Sequence, residues 1–541
     1  MTSSFTNLSV RWLGRVAYRE ALAVQEGIFS HGVGQHLLLC EHPHVFTHGS
    51  SADLAANLKC DPAAVGADLV AVQRGGDVTY HGPGQLVGYP ILDLPPKHGE
   101  SGPADTRHYI ESLEQCLIDA LAEIGIADAG RMGEYPGVWV SPHGPLPRKI
   151  AAIGVRVGRG SSERRTMHGF ALNVSTDLTF MREHIVPCGI ADYPVTSLAE
   201  EGIDVSMRLV SDVVARHVAM RFATSSTRAD AAWESAPDQV GLSISSRKPE
   251  WVRPRVNHTE QVLATKRTLR NLNLVTVCEE AGCPNLSECW SDGTATFMVL
   301  GDRCTRACGF CLIDTRKPLA VDPDEPQRVA DAVSRMGLEF AVLTMVARDD
   351  LPDGGMAHVA ECVRAIREKN PGVQVETLVS DAKGTDALEH VFEVRPDVFN
   401  HNVETIARLQ RAVRPSAGYA RSLAVLARAK ARGLTTKSGF MVGLGETSEE
   451  VVELLHDLAS VGVSIVTIGQ YLRPSSAHLP VVRYVEPAEF AQYREVGESL
   501  GIAHVESSPL TRSSYHAKQA ADEAGVVAHV GAAAISVLVR R

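Results

Sequence analysis

Short apolar, β-branched runs recur along the second half of the chain, with room for a helix between each pair. FAVLTMV, VQVETLVS, DVFNHNVE, TTKSGFMVGL and SIVTIGQYL are separated by amphipathic stretches such as EEVVELLHDLASVG. That alternation predicts a parallel sheet with crossover helices. With TATFMVLG ahead of them, about six β/α units are available, which suits an α/β incomplete TIM-like barrel whose site lies in the loops at the strand C-termini. The first half reads differently. HLLLCEHP, DLVAVQRGGDVTYHGPGQLVGYPILDL and KIAAIGVRVG through HGFALNV pattern as strands and turns, and TRHYIESLEQCLIDALAEIG as one long amphipathic helix. This is an α+β layout.

Periodicity lapses once, in TSSTRADAAWESAPDQVGLSISSRKP from Thr224 to Pro249, where Ser, Ala, Asp and Pro replace the hydrophobic pattern. The expected organisation is therefore a domain over 1–223, a linker over 224–246 and a second domain over 247–541, with no internal repeat.

Composition narrows the class. Of 541 residues 44% are hydrophobic and 22% charged, enough to build sizeable cores, and no apolar run approaches the roughly 20 residues that span a bilayer. The start, MTSSFTNLSVRWLGRVAYREALAVQEG, lacks an apolar stretch followed by a small-residue cleavage site, so the expected location is cytoplasmic and no membrane partner is expected. A net charge of -11 with interspersed signs and only 5% aromatic residues argue against a nucleic-acid partner.

The chain has eleven cysteines, and six of them fall between Cys278 and Cys311. Disulfides need an oxidising compartment that nothing here provides. The six form two triplets: Cys278, Cys283 and Cys289 as CxxxxCxxxxxC, and Cys304, Cys308 and Cys311 as CxxxCxxC. Structural zinc prefers paired CxxC or CxxH knuckles, whereas thiolate triplets on tight loops suit cubane iron-sulfur clusters that each leave one iron without a cysteine. An electron carrier would instead need fully ligated clusters.

The CxxxCxxC spacing after a strand resembles the radical S-adenosylmethionine superfamily. CEEAGCPNLSEC, RDDLPDGG (Arg348 to Gly355), GQYLRPS and RSSYHA (Arg512 to Ala517) resemble the lipoyl synthase family, from about Arg247 to Ala517. That resemblance implies two [4Fe-4S] clusters, S-adenosyl-L-methionine and a reducing electron donor. It assigns Cys304, Cys308 and Cys311 to the radical-forming cluster. It assigns Cys278, Cys283, Cys289 and Ser514 to an auxiliary cluster, in which a hard serine oxygen would match iron poorly and make the cluster easier to dismantle as a sulfur source. The implied reaction inserts sulfur at carbons 6 and 8 of an octanoyl chain. Two positions depart from the family pattern: Ala347 replaces an acidic residue and Arg473 a glutamine. The turn VGLGE could approach an adenosyl group. Biotin synthase, the rival enzyme, has no reason to carry the first triplet or RSSY.

In the first half three features converge: RGGDVTYHGPGQL from Arg74, PRKIAAIGV with Lys149, and VPCGI with Cys188. Each alone has an ordinary explanation, a buried cysteine or a solvated lysine. Together they resemble the lipoyl(octanoyl) transferase family, over about Leu8 to Phe222, and imply a biotin/lipoate ligase-like fold. The resemblance makes Cys188 and Lys149 a catalytic dyad. It assigns substrate binding to Arg74, Gly75, Gly76, Asp77, Val78, Thr79, Tyr80 and His81, and also to Ala152, Ile153, Gly154, Gly169, Phe170 and Ala171. A nearby ammonium favours a thiolate able to attack an acyl thioester. The implied partners are octanoyl-acyl carrier protein and the lipoyl carrier domains of 2-oxoacid dehydrogenases and of the glycine cleavage H protein. The rival is an ATP-dependent lipoate or biotin ligase, which needs no catalytic cysteine. His42, His44 and His48 match no standard metal spacing, and Cys40, Cys60, Cys116 and Cys362 read as structural.

Overall fold

The computed structural model describes residues 7–50, 52–99, 102–190, 192–231, 241–243, 246–253, 260–280, 283, 285–291 and 296–526. It divides into two compact units, Met1–Trp233 and Glu234–Arg541.

Among its described residues the first unit has eleven strands: β1 Asn7–Arg15, β2 Gln35–Glu41, β3 Val45–His48, β4 Asp68–Ala71, β5 Thr79–His81, β6 Gln85–Ile91, β7 Ala129–Met132, β8 Tyr135–Val140, β9 Arg148–Gly158, β10 Arg165–Asn173 and β11 Ser225–Asp230. Eight of them form one sheet in the order β11-β1-β2-β6-β10-β9-β8-β7, and β4-β3-β5 form a small second one. The long helix Thr106–Ile124 begins where the Asp105 carboxylate accepts from the His108 amide and ends at Gly125, whose φ is +125°. Its Tyr109, Leu113, Leu117 and Leu121 recur every four residues, so they share one face. That face packs with Leu8, Val10, Leu37 and Leu39 of the sheet and with Val210, Val214 and Val218 of helix Met207–Phe222 in one apolar core. Burying each such side chain is worth about 1.5–3 kcal/mol. The α+β expectation for this half holds.

The second unit has β12 Val275–Thr276, β13 Thr296–Val299, β14 Phe340–Met345, β15 Gln374–Leu378, β16 Val398–Asn400, β17 Thr436–Val442, β18 Ile465–Gln470 and β19 His504–Ser507, paired in chain order. β13 to β19 are all parallel, and β12 runs antiparallel at one end. The sheet ends on β12 and β19 rather than closing, which makes it an incomplete barrel. Crossover helices such as Glu325–Met336, Met356–Lys369 and Ser448–Ser460 follow the strands, the last one started by a Thr447/Glu450 capping box. On the inner face, Phe340, Val398 and Ile465, each the first residue of its strand, pack with Ala517, Ala520 and Ala521 of helix Ala517–Glu523. Helix Ala517–Glu523 therefore packs on the N-terminal ends of the strands, and the cysteine loop lies beyond the C-terminal end of β13.

Two expectations are corrected. Seven parallel strands stand where about six were expected, because β19, HVES, is four residues long with two polar positions and has no apolar run to announce it. Residues Ser225–Asp230, read as linker, are strand β11, parallel to β1 from Asn7↔Ser225 to Trp12↔Asp230. Its Ser, Thr, Arg and Asp side chains hide a strand that β1 templates through backbone pairing. The middle of the expected linker, 232–240 and 244–245, lies outside the described residues. Among the described residues no helix is long and apolar enough to cross a membrane.

Candidate active sites

In the first unit Cys188 sits in a tight turn, Pro187–Gly189, after helix Leu178–His184. Its φ is +57°, and its amide donates to the Val78 carbonyl at 2.9 Å, which fixes the turn against the RGGDVTYH segment. The Thr79 hydroxyl lies 4.0 Å from Sγ. Gly189, with φ +68°, leaves room for the Asp77 carboxylate, which would stand 2.9 Å from an added Cβ. Asp77 is itself held by Asn57 Nδ2 at 2.7 Å.

Lys149 lies on β9 and is 7% exposed. Its backbone is zipped to the loop beyond Cys188, donating to Pro194 and accepting from Thr196, both at 2.9 Å. Cys188 and Lys149 line the same narrow cleft, together with Thr79, Tyr80, Ala152 and Ala171 from the expected set. Gln85 and Asn173 also line it. They form a relay of hydrogen bonds: His81 Nδ1 donates to Gln85 Oε1 at 2.8 Å, Gln85 Nε2 to Asn173 Oδ1 at 3.0 Å, and Asn173 Nδ2 to the Thr196 carbonyl at 2.9 Å. Burial, reinforced by His42, lowers the His81 pKa to about 3, so the ring is neutral.

The other expected residues surround the cleft without lining it. Arg74 is buried and donates to the carbonyls of Gly75, Asp77 and Thr47 and to the Thr47 hydroxyl, so it braces its own loop, Gly75 and Gly76 included. An added Cβ at Gly154 would meet Arg74 Cδ at 3.1 Å. One at Gly169 would fall 2.1 Å from the Gly88 carbonyl, a strand-packing constraint. Val78 and Phe170 are core residues, and Ile153 packs against the core. His42 and His44 are engaged by Tyr89 and Tyr80 hydroxyls at 2.7 and 2.8 Å. Cys40, Cys116 and Cys362 are buried, and Cys60 is half-buried against a small apolar cluster.

In the second unit the loop after β13 carries Cys304, Cys308 and Cys311. Arg348 of RDDLPDGG pins both of its ends, donating to the Leu300 carbonyl at 3.2 Å and the Leu319 carbonyl at 3.0 Å. Within the loop, Arg306 donates its amide to Cys304 Sγ at 3.4 Å. Its guanidinium grips Asp349 twice at 2.9 Å and Asp381 at 2.6 Å. Burial would raise the Asp381 pKa, but the bond to Arg306, with the charges of Arg306, His401 and Arg421, brings it down to about 2. The second departure from the family pattern is used locally: Arg473 donates to the His478 and Ser476 carbonyls, and His478 Nε2 donates to the Cys311 carbonyl at 2.9 Å. The Ala347 carbonyl accepts from the amide and hydroxyl of Thr305 at 2.9 Å each. The VGLGE turn folds on itself, with the Glu446 carboxylate accepting the Gly443 and Leu444 amides.

The first triplet lies near the RSSY segment. Asn285 Nδ2 donates to the Leu510 carbonyl at 2.7 Å, Cys283 lies in the field of Arg512, and Asn402 Nδ2 donates to Ser513 Oγ at 2.7 Å. Ser514 follows directly and is half-buried. Among the described residues no three His, Cys, Asp or Glu side chains converge as around a single ion. A cubane spreads its thiolates over three irons, so its ligands need not converge in that way. Burial is the largest cause that holds Cys278, Cys308 and Cys311 back from ionisation as free thiols: Cys308 rises to about 12, with Cys311 and Cys304 adding to it, while Cys278 and Cys311 rise to about 11. Soft thiols, half-buried except for the buried Cys278, fit an iron-sulfur group.

Residues 298–458 match the radical SAM superfamily model, and residues 17–219 match the lipoyl protein ligase A/B catalytic domain. The lipoyl synthase of Rubrobacter xylanophilus is 55% identical over 280 residues, covering 51% of this chain and 87% of the relative. The chain belongs to the lipoyl synthase family. The lipoyl synthase of Chlorobaculum parvum is 52% identical over 275 residues, 50% of this chain and 94% of its own length. Among solved structures, a bi-partite lipoate protein ligase from Thermoplasma acidophilum aligns with 41% of this chain and 88% of its own at 19% identity and a TM-score of 0.33. Methylornithine synthase aligns with 47% and 79% at 14% identity and a TM-score of 0.32. The second half is thus a lipoyl synthase, a radical SAM enzyme, and the first carries a lipoate ligase/transferase catalytic domain. Family membership implies S-adenosylmethionine and iron-sulfur chemistry in the lipoyl synthase half.

Proposed function

We propose that the chain builds lipoyl groups in place, on the carrier domain that will use them. The first half moves an octanoyl chain from acyl carrier protein to a lysine of a lipoyl carrier domain, such as those of 2-oxoacid dehydrogenases or the glycine cleavage H protein. The second half then inserts sulfur at carbons 6 and 8. The observation that carries this reading is the meeting of Cys188 and Lys149 in one cleft, on the same chain as a lipoyl synthase half.

The transfer balances without ATP. The Cys188 thiolate attacks the carrier thioester, and the departing carrier thiolate takes a proton from the Lys149 ammonium. The acceptor lysine amine then attacks the Cys188 thioester, an amide forms, Cys188 leaves as thiolate, and neutral Lys149 recovers the proton. Gln85, Asn173 and neutral His81 keep polar groups fixed beside the acyl carbonyl.

In the lipoyl synthase half we assign two [4Fe-4S] clusters, one to Cys304, Cys308 and Cys311, the other to Cys278, Cys283, Cys289 and Ser514. Bound there with S-adenosylmethionine and fed by an electron donor, such clusters supply hydrogen abstraction from unactivated carbon and a source of sulfur. The protein's own part is to hold the thiols, through Arg348 and Arg306 for the first set and Asn285 for the second. Glu404 and Arg414 lie within the field of Cys308 and suit the amino and carboxylate groups of a zwitterionic ligand.

The test is to incubate the protein with octanoyl carrier protein, quench, and search for an acylated Cys188 peptide. The adduct is expected in the wild type and absent in Cys188→Ala. A Cys188→Ala protein that still transfers octanoate when given ATP would instead favour a ligase.

A further inference from the structure

Lys149 is a buried amine that forms no ion pair among the described residues. What it has is an aromatic face: Nζ lies over the Trp139 ring, 5.4 Å from its centroid. The contact is built in. Trp139 and Lys149 are cross-strand partners of β8 and β9, and the register shifts by a bulge between Val138 and Trp139, the kind of irregularity that re-aims a side chain. The indole is fully buried, its Nε1 donates to the Tyr135 carbonyl at 3.1 Å, and Tyr193 packs edge-on at 5.8 Å. Gly137, two residues earlier, has φ +126°, and an added Cβ there would stand 2.8 Å from Lys149 Cε. The lysine stem therefore runs past a residue that has no side chain, to an indole that cannot turn.

We propose that Trp139 is a positioning residue of the transfer site, its indole face holding Lys149 as an ammonium beside Cys188; this rests on the dyad reading above. The ammonium then has two supports, a fixed one in the indole and a removable one in the Cys188 thiolate. Acylation turns the thiolate into a neutral thioester and takes the second support away. The indole alone balances burial poorly, so the proton passes to the departing carrier thiolate, which leaves as the thiol, and Lys149 is left as the base for the second half-reaction. When the amide forms, the thiolate returns and the ammonium with it.

The test is the pH dependence of Cys188 alkylation by iodoacetamide, followed on the Cys188 peptide of the full chain by mass spectrometry. Trp139→Leu should raise the midpoint of the profile by roughly half a unit to one unit, Trp139→Phe by less, and Lys149→Met by at least as much as Trp139→Leu. A thermal melt reports whether each variant folds. If Trp139→Leu does not fold, Trp139→Phe, which keeps the site filled, carries the test. An unmoved midpoint in the folded Trp139 variants, with Lys149→Met shifted, overturns the role of the indole. An unmoved midpoint in Lys149→Met overturns the dyad itself.

Discussion

Gly137 tightly constrains the geometry around Lys149. A Cβ there would fall 2.5 Å from the Ala151 carbonyl as well as against the Lys149 stem, on a backbone at φ +126°. Gly137→Ala should cost about 1–3 kcal/mol in urea unfolding and slow octanoyl transfer more than it slows alkylation of Cys60. A variant that unfolds and transfers like the wild type would contradict this account of the lysine. At this scale the sequence singled out Cys188 and Lys149 only through the family resemblance of the strings around them, and the fold brings the two into one cleft. Gly137, Trp139, Gln85 and Asn173 were not singled out. A lone glycine in EYPGVWV reads as a turn, an indole on a strand reads as core, and the relay from His81 to Thr196 joins residues more than a hundred positions apart.

Among the elements, the loop after β13 is held by two arginines. Arg348 holds its two ends, and Arg306 ties its middle to Asp349 and to fully buried Asp381. The Asp381 carboxyl sits near pKa 2 in the folded protein, below the roughly 3.9 of an unfolded chain. Its contribution is therefore complete above about pH 4 and is lost as pH falls toward 2. Asp381→Asn should lose about 3–5 kcal/mol at neutral pH, because Arg306 keeps its burial but loses a partner, and the gap to the wild type should narrow as the pH is lowered from 4. Urea titrations at several pH values measure it; a gap that stays constant with pH would contradict the clamp. RDDLPDGG was visible as a motif, but its work as a backbone clamp exists only once β13 and β14 lie side by side. β11 and β19 escaped notice for the same reason. Short polar strands are specified by their neighbours' backbones, not by their own side chains.

On the scale of the whole molecule, each half is recognisable by itself and the logic lies in their order. On the proposed function, the octanoyl group handed over by the first unit would be the substrate of the second and would stay covalently on the carrier domain, so that no tunnel is required. The fold class of both halves was legible from hydrophobic spacing, because alternation of strand and helix survives in any one sequence, whereas the exact end of the first domain was not. The central claim is that one chain performs both steps in sequence. Intact mass spectrometry of a lipoyl carrier domain, incubated with the reconstituted protein, octanoyl carrier protein, S-adenosylmethionine and a reductant but no ATP, tests it directly. The octanoylated domain should appear first and the lipoylated domain after it; Cys188→Ala should leave the domain unmodified, and Cys304→Ala should stop at the octanoylated species. A domain that is modified only when ATP and free octanoate are added, or that the wild type carries to the octanoylated form and never further, would contradict the account.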